Sequence, residues 1–203
     1  MPEPRHRALD LGACSPAAAY HLLTALVLPR PIAWITTLNE DGSVNLAPFS
    51  FFNVVCADPP MMMVSIGRRE GVPKDTARNL RARPDFVVNL PAADQADLVQ
   101  ASAADLPYGE SELSALGLAT LPARLVAPPR LADTPTQLEC RVEQWLELGR
   151  GPVDLILGRI LEAHTLTEAL DERGRPRAEA LRPLARLSSG HFATLGPSFK
   201  TSR

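Results

Sequence analysis

The stretch "NLAPFSFFNVVCADPPMMMVSIG", residues 45–67, decides how this chain is read. Its second half, dense in valine, isoleucine and methionine, has the composition of a buried strand. Its first half sets Pro48 and Ser50 among Phe49, Phe51 and Phe52, where a central strand would carry aliphatics and no proline. Proline removes a ladder donor, so inside a sheet it marks an edge or a bulge. A bulge beside aromatic rings leaves backbone N–H and C=O groups facing a flat apolar slot. Such a slot suits a planar heteroaromatic with polar edges. The competing reading is an ordinary core with Pro48 at an edge, and pattern alone leaves both open.

The flanks extend the β reading in both directions. "SPAAAYHLLTALVL" predicts a short helix with Ser15 as N-cap and Pro16 at its first position. Residues 32–38 are β-branched and aromatic, and "NEDG" with Gly42 predicts a hairpin turn into the strand that starts at Val44. "DPP" breaks the chain before "MMMVSIG", and a polar loop then leads to "DTARNLRARPDF", a helix capped by Asp75 or Thr76 that ends before Pro84. "FVVNL" is another strand, and residues 91–122 read as a helical insertion. "LECRVEQWLELG" and "VDLILGRILEAHTL" read as paired long strands around "GRGP"; Gly158 and the β-branched residues favour strand over helix in the second. The tail "RPLARLSSGHFATLG" reads as a loop with a short extended piece. The expectation is one mainly β domain over residues 1–203, with a core of about 15–200 and an N-terminal extension at 1–14.

Composition excludes several classes. With 203 residues, 45% of them hydrophobic, the chain can bury a core, and its net charge of -2 argues against a nucleic-acid or polybasic membrane surface. Aromatics make up only 5%, so the cluster at 49–52 stands out. Cys14, Cys56 and Cys140 form no CxxC pair, and His6, His21, His164 and His191 form no HxxxH pair, so neither a disulfide framework nor a metal site is expected. The N-terminus has no apolar signal core. A reduced, soluble, cytoplasmic protein is expected, with no membrane or nucleic-acid partner.

"SIGRREGVPKDT" carries the second chemical signal. Ser65, Arg68, Arg69, Lys74 and Thr76 place hydroxyls and cations around a loop that opens a helix, the parts that hold a phosphate. Neither GxxxxGK[ST] nor GxGxxG is present. Arg68 and Arg69 could meet a 2′-phosphate, although surface arginines are usually just solvated. Cys56 reads as an inert core thiol and Met61 to Met63 as core.

Taken together, "RPIAWITT", "DG", "NLAPFSFFNVV", "DPP", "VSIG", "KDTARNL" and "FVVNL" resemble, in order and spacing, the flavin reductase-like FMN-binding proteins. That family includes reductase components of two-component monooxygenases and flavoredoxin-type proteins. The resemblance runs from residue 28 to 90 and more faintly through the tail. It implies an antiparallel Greek-key split β-barrel with short inserted helices, a homodimer, and FMN near the subunit interface. By position, Ala47, Pro48, Phe49, Ser50 and Phe51 would line the isoalloxazine, with Asn45 and Asn53 as further donors. Ser65, Lys74, Asp75 and Thr76 would sit at the ribityl-phosphate end, and Arg30 would help neutralise the phosphate. His191, where relatives often carry an aromatic, is the candidate closest to the flavin or nicotinamide. The implied activity is NADH- or NADPH-dependent reduction of FMN, with electrons passed to an oxygenase or another acceptor. A flavin-binding electron carrier reduced by a protein donor is the alternative; a flavin-free dimeric scaffold is opposed by the intact "KDT" and "APFSFF" segments.

Overall fold

Ser15 caps the first helix: its hydroxyl accepts from the Ala18 N–H at 3.2 Å, and Pro16 opens α1 (Pro16–Leu26). The computed structural model describes residues 5–104, 106–107 and 109–202. After β1 (Arg30–Pro31) come β2 (Ala33–Leu38) and β3 (Val44–Phe49), the hairpin expected around "NEDG", with Gly42 at φ +88°. A second hairpin joins β4 (Phe52–Ala57) to β5 (Pro60–Gly67), and α2 (Asp75–Ala82) leads to β6 (Asp85–Leu90). The insertion holds α3 (Ala96–Ala101) and α4 (Glu112–Leu116), followed by the short pair β7 (Thr120–Leu121) and β8 (Arg130–Leu131). The long strands β9 (Thr136–Leu148) and β10 (Val153–Thr165) pair around "GRGP". The chain closes with α5 (Ala178–Leu181), β11 (Ala185–Arg186) and β12 (Phe192–Ala193).

Seven strands form one antiparallel sheet in the order β3-β2-β6-β9-β10-β5-β4. β3 and β4 lie at opposite ends of that order, yet only Ser50 and Phe51 separate them in the chain. At roughly 3.5 Å per residue such a link spans about 10 Å, so the sheet must roll until its two edges meet. The Ser65 N–H donates to the Phe51 carbonyl at 2.8 Å, which carries the β4–β5 pairing one residue further into that link. The step from β5 through α2 to β6 passes over the β9–β10 hairpin, the Greek-key crossover. The mainly β, antiparallel split barrel with inserted helices is therefore the architecture found. Ile35, Phe49, Phe52, Val64, Phe86 and Ile156 pack on one side of the rolled sheet, while Trp34, Leu46, Val99 and Leu113 pack beneath the insertion. β2 is thus buried on both faces, the physical reason its sequence shows no polar alternation.

Four expectations change. The β2–β3 ladder is continuous from Val44 to Phe49, so Pro48 marks an edge strand and not a bulge; the register shifts fall in β4 and in the β9–β10 ladder. The N-cap of α2 is Lys74, with no side-chain cap, and Asp75 instead opens the helix and pairs with Arg78 at 2.9 Å. Cys56 is exposed on β4, its thiol directed to the Asp58 carbonyl at 3.3 Å; the buried thiol is Cys140, whose pKa burial pushes well up. Of the three methionines only Met62 is fully buried. Among the described residues, no helix is long and apolar enough to cross a membrane.

Candidate functional site

The outer edge of β3 builds the site. Val44 and Leu46 turn their backbone groups outward, and the insertion covers them: Ser111 Oγ donates to the Val44 carbonyl at 2.6 Å, and the Leu46 N–H donates to Glu112 Oε2 at 2.8 Å. By the same alternation Pro48 also faces outward, where a missing N–H costs no ladder bond. Beyond Leu46 the edge lines a cleft of about 380 Å³, bounded by Ala47 to Phe49, by the loop at 69–74 with the start of α2, and by Ser102 to Ala104. A smaller hollow of about 150 Å³ continues past Pro48 and Phe49 to Ser50, Tyr20, Arg186 and Phe192.

A buried polar network sets α2 against this edge. Asn45 Nδ2 donates to Thr37 Oγ1 at 3.1 Å and to Thr76 Oγ1 at 3.0 Å, and Asn79 Nδ2 donates to Thr37 Oγ1 at 3.0 Å and Asn39 Oδ1 at 2.8 Å. Each amide hydrogen has an acceptor, so these bonds hold the helix start beside the cleft while Ala77 and Leu80 pack into the core. The Lys74 ammonium lies 5.9 Å from the Phe49 ring centroid, at the mouth of the same cleft. Burial pushes the Glu112 pKa up and the Asp75 charge adds to this, while the Leu46 N–H opposes it.

The structure brings Asn45, Ala47, Pro48, Phe49, Lys74, Asp75 and Thr76 together in the larger hollow and puts Ser50 in the smaller one. It places the other predicted residues elsewhere. Arg30 is buried away from the α2 end, its guanidinium donating to the carbonyls of Thr24, Val27 and Leu187 at 2.5, 2.9 and 2.9 Å and to Ser50 Oγ at 3.4 Å. Phe51 is exposed beside Tyr20, with ring centroids 6.0 Å apart. Asn53 is exposed on β4 and accepts from the Val54 N–H, and Ser65 sits within β5 opposite Leu155. His191 is exposed in a tight turn, Nδ1 3.2 Å from the Ser188 carbonyl, and it is the next residue, Phe192, that reaches the hollow. Of the expected aromatic shelf, Phe52 turns into the core, while Phe49, 7% exposed, lines both hollows.

Sequence reasoning missed the contributions of Glu112, Ser102, Tyr20 and Arg186, which come from segments distant along the chain and carry no local motif. It also left Arg68 open for a phosphate, whereas Arg68 pairs with the fully buried Asp154 at 2.9 Å and with Glu147 at 3.0 Å. Glu139, Glu162 and His164 bring ligand atoms within 4.8 Å of one another. The Glu139 carboxylate accepts from the Arg124 and Leu125 N–H groups and lies 2.7 Å from His164 Nε2.

Comparison with known proteins agrees with this geometry. Residues 25–186 match the model of the flavin reductase like domain. An uncharacterized protein of Halalkalibacterium halodurans, BH2278, is 39% identical over 189 residues, covering 91% of this chain and 90% of its own. The crystal structure of nitrilotriacetate monooxygenase component B from Bacillus cereus superposes with a TM-score of 0.93 at 32% identity, covering 98% of this chain and 100% of that one. The 2-nitrobenzoate 2-nitroreductase NbaA of Pseudomonas fluorescens superposes at 0.88 with 27% identity, over 97% and 96% of the two chains. The chain belongs to the flavin reductase-like family.

Proposed function

We propose that the protein binds FMN along the outer edge of β3 and acts as an NAD(P)H:flavin oxidoreductase. The observation that carries this reading is the cleft itself. An edge strand whose outward groups are covered at Val44 and Leu46 but open from Ala47 onward runs beside a helix start and a lysine. The residues fit the cofactor: the larger hollow alone, about 380 Å³, lies within the roughly 300–1,000 Å³ of small-molecule sites. Lys74 and the first N–H groups of α2 would hold the phosphate, with Thr76 beside them. The backbone of Ala47 to Ser50 and the Ser50 hydroxyl would bond the polar edge of the ring system, and Ser102 to Ala104 would shield it from water. FMN, when bound, supplies hydride acceptance from a nicotinamide and onward electron transfer.

The name of the Bacillus cereus relative, a monooxygenase component, supports an oxygenase or similar acceptor as partner. A homodimer is supported by exposed apolar residues: Leu23 and Leu26 on α1 with Val27 just after it, and Val54 and Val55 on β4. The exposed free thiol of Cys56 is consistent with a reducing cytoplasm. The test is a visible spectrum of the purified protein before and after anaerobic NADH and NADPH. A flavin band that either nucleotide bleaches rapidly is the expected result. Bound flavin that neither reduces would make the protein an electron carrier, and a colourless protein that FMN cannot reconstitute would overturn the reading.

A further inference from the structure

The last turn of α2 reaches one fully buried acid. Asp154, the second residue of β10, has Ile66 on β5 and Glu147 on β9 as its register partners. Its carboxylate accepts a bidentate pair from Arg68, Nε to Oδ2 at 3.2 Å and Nη2 to Oδ1 at 2.9 Å. Arg81 Nη2 and Trp145 Nε1 donate to the same Oδ1 at 3.1 and 3.0 Å. Glu147 joins the two guanidinium groups at 3.0 and 2.9 Å, and that of Arg81 lies 4.4 Å from the Trp145 ring centroid. Burial pushes the Asp154 pKa up, but the donors from Arg68, Trp145 and Arg81 outweigh it and hold the carboxyl below its usual range.

These partners bracket one segment. Arg68 is the first residue after β5, and Arg81 lies in the last turn of α2, so residues 69–74 and the helix start stand between them. Inside the bracket Arg69 and Val72 exchange backbone bonds at 2.9 and 2.8 Å around Glu70 at φ +49° and Gly71 at φ +82°. Residues 69–72 are exposed, so this tight turn takes its place from its stems and not from core packing. Neither Arg68, Arg81 nor Asp154 lines the cleft, so what they supply there is position and not a ligand contact. We propose that Asp154 is a positioning residue that, through Arg68 and Arg81, fixes where the 69–74 loop and Lys74 stand for a ligand's phosphate. This rests on the flavin reading for the identity of that ligand. A desolvated ion pair adds little net stability over apolar packing, whereas the bidentate fork fixes direction at both stems of the loop. If the pair served only the fold, its loss would weaken every flavin alike; a pin on the phosphate loop makes the loss selective.

Fluorescence titration with FMN and with riboflavin, which lacks the phosphate, tests the assignment. The wild-type protein should bind FMN roughly tenfold or more tightly than riboflavin, the scale of one charge-assisted contact. D154N and R68Q should each narrow that ratio by about threefold or more while riboflavin affinity stays the same. R68K should keep part of the preference, because an ammonium carries charge without the fork. Hydrogen exchange of the flavin-free variants should rise over residues 68–82 and stay unchanged in the central strands β2 and β6. Urea unfolding identifies a variant that has lost its fold; should D154N do so, R68Q decides, because Asp154 then keeps Arg81 and Trp145. A ratio that survives in the folded variants, equal loss of both flavins, or a wild-type protein that does not distinguish them would overturn the assignment. A wild-type protein that binds neither flavin would overturn the flavin reading instead, and the exchange would still decide whether Asp154 holds the loop.

Discussion

At Arg30 a single side chain ties three distant segments together. Its guanidinium collects carbonyls from Thr24 and Val27 at the end of α1 and from Leu187 near the C-terminus, and it also touches Ser50 at the seam of the barrel. Read along the chain, a cation preceding a flavin-like motif looks like a phosphate ligand; in three dimensions its donors are already committed. Arg30→Met would orphan these carbonyls, each costing roughly 1–3 kcal/mol if buried without a partner. The expected loss is on the order of 3 kcal/mol in urea unfolding, with FMN bound more weakly because Ser50 loses its support. Unchanged stability would show that the cluster contributes little. His191 gives a related case: it sits exposed in the turn before β12, and Phe192, the first residue of that strand, lines the hollow.

At the scale of elements, whether a strand lies at an edge depends on what pairs with it, which its own residues do not state. Pro48 restricted β3 to an edge or a bulge, and the choice fell to β2 on one side and α4 on the other. β10 shows the opposite case. Gly158 in the sequence favours strand over helix, and the packing around it requires a residue without a side chain. A Cβ there would lie 2.6 Å from Phe86 Cζ and 3.0 Å from Met62 Sδ, both in fully buried side chains. Gly158→Ala should therefore cost about 1–3 kcal/mol, measured by thermal or urea unfolding, since a closed core resists even one added methyl. A neutral result would mean that Phe86 can turn aside.

For the whole molecule, the strand order ends at β4, an edge strand with five consecutive exposed residues after Phe52. An exposed apolar edge beside the apolar face of α1 is a surface that soluble proteins cover. Sedimentation velocity should show a dimer for the wild-type protein, and Val54→Asp should shift it toward monomer by placing a charge in the proposed dimer contact. A wild-type protein that is monomeric at all concentrations tested would remove the homodimer from the reading.

Local patterning alone determined the hairpins, the capped first helix, the long β9–β10 pair and the family, because turn residues, β-branched runs and ordered motifs act over a few neighbours. It also determined which segments form the larger hollow: "NLAPFS" and "KDT" do meet. Only the tertiary structure decided which way each side chain in those segments turns. Phe51, Asn53 and Ser65 leave the site, while Glu112, Tyr20 and Arg186 enter it from α4, α1 and β11. The physical reason is the closure of the sheet. When two residues must join its opposite edges, the seam sets the facing of everything around Ser50, and that constraint is global.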